Sequence, residues 1–120
     1  MRFPVRPEAA MMARNAIQDM LPSVSPSVLS DAQLLTSELV SNAVRHAGLG
    51  PEDAIGITIA LAPDRLHVGV LDDGPGFEAA AAHQPDAVSG WGLLLVESVS
   101  DRWGVIRGER TNEVWFEIDL

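Results

Sequence analysis

The chain has 120 residues, 47% of them hydrophobic, and its eight Arg against seventeen Asp and Glu leave a formal charge of −9. It contains neither Lys nor Cys, which excludes a Walker-type phosphate loop, a Schiff-base lysine, a thiolate nucleophile, a disulfide framework and any cysteine metal site. So acidic a chain lacks the dense positive surface that sequence-independent DNA or RNA binding needs. The length predicts a single domain over residues 1–120. No apolar run approaches the ~18 residues of a membrane span, and no apolar segment follows the N-terminal arginines. The expectation is a cytoplasmic protein with no membrane partner.

The first helical signal covers residues 7–21, with Pro7 at its start and Ala10, Ala13, Ile17 and Met20 at helical spacing. Residues 22–26 break the pattern. Ser30 or Asp31 then caps a second helix that runs to about Ala47 and stops at the Gly48–Pro51 turn. Two strands follow at residues 54–61 and 65–72, joined by a three-residue turn, and they predict an antiparallel hairpin. Residues 75–89 form a long, unpatterned loop. A third helix opens at Gly90-Trp-Gly92, and strands at 101–107 and 113–120 close the chain. This order predicts an α+β fold, with helices layered on one face of the sheet.

Three segments carry candidate chemistry. On the second helix, Glu38, Asn42 and Arg45 fall within about 60° of one another beside an apolar arc. That stripe serves equally as a solvated flank or as a Mg2+ and phosphate site, because an Asn carbonyl is a hard oxygen ligand and a Glu one turn away can take a proton. At the end of the second strand, alternation puts Asp72 on the apolar side with Leu66, Val68 and Val70. A carboxylate there needs a donor. The glycines Gly74 and Gly76 suit either a plain turn or the close approach of a flat ligand. Finally, Gly90 and Gly92 open a helix, which is either a plain cap or a start whose exposed N–H groups and dipole favour phosphate. The three histidines are too scattered for a transition-metal site. His67 reads as isolated and exposed, and Trp103, Trp115 and Phe116 read as sheet and core residues.

Taken together, Glu-x3-Asn on a helix, Asp-x-Gly-x-Gly after a strand and Gly-x-Gly at a helix start resemble the Bergerat-fold, histidine kinase-like ATPases. The nearer resemblance is to the small anti-sigma factor serine/threonine kinases of the RsbW and SpoIIAB types, and it extends from Phe3 onward. It implies a two-layer sandwich with helices on one face of a mixed, mainly antiparallel sheet, and a cofactor of ATP with Mg2+. By motif, Glu38 is implied as general base, Asn42 as Mg2+ ligand and Asp72 as acceptor for the adenine amino group. Gly74 and Gly76 are implied to let the nucleotide lie against the backbone, and Gly90, Gly92 and Leu93 to give N–H groups to phosphate. Thr111 aligns with a polar residue near the nucleotide, and residues 77–89 with a mobile lid.

The implied function is phosphorylation of a small antagonist protein by a domain that also sequesters a sigma factor, with homodimers common in this branch. The alternative is a non-catalytic, nucleotide-gated binding module, and a slow ATPase is a third reading. Two departures bear on that choice. Relatives often carry an Arg in the lid for the terminal phosphate, whereas residues 77–89 contain neither Arg nor Lys, and Trp91 stands where many have Arg.

Overall fold

The computed structural model describes residues 1–46, 50, 52–73, 92–108 and 111–120. In chain order the elements are β1 (Arg2–Pro4), α1 (Ala9–Met20), α2 (Pro26–His46), β2 (Ala54–Leu61), β3 (Arg65–Asp72), α3 (Gly92–Val99), β4 (Arg102–Arg107) and β5 (Asn112–Asp119). The strands form one sheet in the order β1-β2-β3-β5-β4, and every pairing among the described residues is antiparallel.

Alternation along the strands sorts side chains cleanly between two faces. Ile55, Ile57, Leu66, Val68, Val70, Val114, Phe116 and Ile118 are buried and point to one face. The helices complete that core with Ala9, Ala13 and Ile17 from α1, Leu35, Leu39, Val40 and Ala43 from α2, and Val96 from α3. Phe116 and the branched aliphatics among these are almost wholly removed from water. Each contributes about 1.5–3 kcal/mol through burial. The α2 helix is the hub, packing against α1, α3, β3 and β5.

Two boundaries differ from the sequence reading, for local reasons. The second helix begins at Pro26, a turn before Ser30, because Ser25 caps it: the Val28 N–H donates to Ser25 Oγ (3.3 Å) and the Leu29 N–H to the Ser25 carbonyl (2.9 Å). Pro26 is thus a first-position proline, not a breaker. Strand β1 carries no periodic signal in three residues. It pairs on an outer edge of the sheet, where its Pro4 is tolerated.

The opposite face carries an ion-pair network absent from the sequence reading. Glu117 accepts a hydrogen bond from Arg102 Nε (2.9 Å), lies 3.0 Å from His67 Nδ1, and has Arg65 at 3.8 Å. Arg102 also pairs with Asp119. His67 is therefore not isolated: it is half-buried, bonded to Glu117 and stacked on Trp115 with ring centroids 5.5 Å apart. The Trp115 ring also covers Gly104, where an added Cβ would stand 2.8 Å from ring atoms.

Arg102, and after it His67, holds the Glu117 carboxyl below its ordinary value near 4.5. A lowered carboxyl contributes stability that is present above that ordinary value and lost as pH falls through its folded one. The Tm advantage of wild type over Glu117→Gln should shrink as pH falls below about 4.5. An advantage that stays undiminished well below that pH would contradict the ion-pair assignment.

Candidate functional site

The candidate residues stand on α2 and at the end of β3, two elements that pack against each other. Glu38 is half-buried on α2 and forms no ion pair with a described residue, and Arg45 is exposed one turn beyond Asn42. Asn42 itself is only 8% exposed, and its Nδ2 is buried with no hydrogen-bond partner among the described residues. Leaving such a donor unpaired costs about 1–3 kcal/mol. Thr36 Oγ1 shares that condition deeper in the core. Asn42 is the one that stands on the Glu38 stripe.

Strand alternation carries Asp72 to the inner face after Leu66, Val68 and Val70, as the sequence predicts, and it is 3% exposed. The register aligns Ile55, Asp72, Asn112 and Arg107 in one row across β2, β3, β5 and β4. Asn112 is 7% exposed, and its Nδ2 donates to Asp72 Oδ1 at 3.4 Å. Here is the donor that a carboxylate on the apolar side requires. Sequence reasoning missed Asn112. Pairing β5 against β3 in register, with Asn112 opposite Asp72 on the same inner face, is the signal that finds it.

Thr111 is placed elsewhere. It is exposed, and its hydroxyl donates to Asp73 Oδ1 (3.3 Å), away from the inner row. Gly92 and Leu93 occupy the first turn of α3, as the two-glycine start predicts. Gly74, Gly76, Gly90 and the segment 77–89 lie outside the described residues. So Glu38 and Asn42 stand on α2 and Asp72 ends the β3 strand that packs against it, while three glycines of the motif set lie outside the described residues. Among the described residues, no group of three or more His, Asp or Glu is arranged to hold a metal ion by itself. No described helix is long and apolar enough to cross a membrane.

A family model described as "Histidine kinase-like ATPase domain" matches residues 3–118. The chain belongs to that family. This histidine kinase-like ATPase domain is 28% identical over 116 residues to the serine-protein kinase RsbW of Listeria monocytogenes serovar 1/2a, covering 84% of the chain and 74% of the relative. The same figures hold for the serine-protein kinase RsbW of Listeria innocua. Among solved structures, it superposes on the RsbU and RsbW domains of Rv1364c from Mycobacterium tuberculosis with a TM-score of 0.70 at 18% identity. That match covers 98% of this chain and 31% of the other. A histidine kinase domain from Erythrobacter litoralis gives a TM-score of 0.61 at 20% identity, covering 98% of this chain and 62% of its own. The two superpositions establish the fold: an α+β ATPase-domain sandwich, its antiparallel sheet covered on one face.

Proposed function

We propose that this chain is an ATP-binding anti-sigma factor serine/threonine kinase, acting in the cytoplasm on a small antagonist protein and sequestering a sigma factor. The observation that carries the reading is the buried Asp72 carboxylate, turned to the apolar side of the sheet and tethered by Asn112. A carboxylate placed there is suited to accept the amino group of adenine, a planar and largely apolar ring. The residues present fit Mg-ATP in a second respect. The orphaned Nδ2 of Asn42 is a donor, suited to a phosphate oxygen, while its Oδ1 supplies the hard ligand that Mg2+ prefers. Since the described residues offer no carboxylate cluster for the cation, the remaining ligands would come from phosphate and water.

When bound, Mg-ATP supplies the phosphoryl group and the charge neutralisation for its transfer. The chain's own part is orientation and proton handling. Asp72 would fix the base, and the N–H groups at the start of α3, at Gly92 and Leu93, would bind the phosphates. The motif assigns Gly90 the same role, and Gly74 and Gly76 that of letting the nucleotide lie against the backbone. Glu38, half-buried and in no ion pair with a described residue, would take the proton from the acceptor hydroxyl at its carboxylate oxygen. Incubating the chain with labelled ATP and candidate antagonist proteins tests the reading directly. Label on a Ser or Thr of one antagonist, dependent on Glu38, supports the kinase. ATP binding with no transfer to any of them favours the non-catalytic module.

The lid composition gives a further expectation. Residues 77–89 include four consecutive alanines and no permanent cation, so little distinguishes a third phosphate from two. The ATP:ADP affinity ratio should stay below about ten, or 1.4 kcal/mol. Val88→Arg should raise both that ratio and any transfer rate. A wild-type ratio far above ten, without a cation from a partner chain, would show that the terminal phosphate is gripped elsewhere.

A further inference from the structure

Asp72 is followed directly by a second acid, and the two are treated in opposite ways by the fold. Asp72 goes inward; Asp73 goes to the open face. There its Oδ2 lies 3.6 Å from the Arg2 guanidinium of β1, and its Oδ1 accepts from Thr111 Oγ1 at 3.3 Å. Arg2, Gly56, Leu71, Asp73 and Thr111 line a shallow cavity of about 290 Å3 on that face. One carboxylate, just past the end of β3, thereby reaches β1 on one side and the residue before β5 on the other.

We propose that Asp73 is a positioning residue for Asp72, and that Arg2 and Thr111 act on the nucleotide site only through it. The inference rests on the reading of Asp72 as the adenine acceptor. Its physical basis is the pleat. Consecutive residues of a strand point to opposite faces, so a twist of the strand end that moves one side chain moves the other. At a strand terminus such twisting is opposed by few ladder bonds. Phe3, Ile55, Asp72 and Asn112 lie in one row across β1, β2, β3 and β5. The Arg2 contact therefore anchors the strand end from the neighbouring row of the same edge. The Arg2 charge also offsets the repulsion between adjacent carboxylates. It further accounts for the exposed hydroxyl of Thr111, which faces Asp73 and not the inner row.

Both contacts are solvent-exposed, so each is individually weak. The expected effect is modest and selective. Calorimetric titration with ATP and with purine riboside triphosphate, which lacks the 6-amino group, reads it out. In wild type ATP binds more tightly than the analogue. In Asp73→Ala that preference should narrow about three- to tenfold, with analogue affinity within about twofold of wild type. Arg2→Ala and Thr111→Val should narrow it in the same direction by less, and Asp73→Asn, which keeps an acceptor for Thr111, should fall between. Equal weakening of both nucleotides would mean a merely structural role, and an unchanged preference would mean none; either overturns the proposal. Asp72→Asn separates the two layers. If it narrows the preference while Asp73→Ala does not, the positioning role fails alone. If it too leaves the preference intact, the adenine assignment fails and the proposal falls with it.

Discussion

Replacing Asp72 by Asn should weaken ATP and ADP together, by about 10- to 150-fold, or 1.5–3 kcal/mol. The substitution keeps the shape of the side chain but removes the charge that makes it a strong acceptor. It also places one amide against another, because Asn112 Nδ2 now faces a neutral partner in the same buried row. The loss should be shared equally by the two nucleotides, since the base is common to both. The fold tolerates the change: Asp72 is the last residue of β3, and the core beneath it is formed by Val70, Val114 and Ile57. Titration calorimetry on a variant with wild-type Tm decides the matter. Unchanged affinity would remove Asp72 from the nucleotide site.

Glu38→Gln should act on rate and not on binding. A glutamine of equal size cannot accept the hydroxyl proton, so transfer should fall by roughly 10²–10⁴ while ATP affinity stays within a few fold. Asn42→Ala should give the contrasting result, a loss of Mg2+-dependent binding, if that side chain serves phosphate and cation as proposed. The pair of variants thus separates chemistry from binding on a single helix. Transfer at the wild-type rate in Glu38→Gln would assign the base to another group.

Much of this site is legible from the residues alone because it follows from periodicity. The alternation of Leu66, Val68 and Val70 places Asp72 inward, and helical spacing places Glu38 and Asn42 on one flank of α2; the structure puts them there. What periodicity does not encode is pairing between distant strands. Asn112 becomes visible only when β5 is set in register beside β3, and the same pairing converts His67 from an isolated residue into part of the Glu117 cluster. The start of α2 was misread for a different reason. Proline after serine is both a breaker and a capping signal, and only the Ser25 hydrogen bonds distinguish them. Strand β1 is three residues long, held by its neighbour and not by any pattern of its own.

On the proposed reading, this acidic, lysine-free domain holds a nucleotide between α2 and β3. The most direct test of that reading is calorimetric titration of the wild-type chain with ATP in the presence and absence of Mg2+, with GTP as comparison. The account predicts saturable binding at one site per chain, tighter with Mg2+, and clear preference for ATP because guanine offers Asp72 an acceptor where adenine offers a donor. No saturable binding by a chain shown to be folded, or equal affinity for GTP, would contradict it.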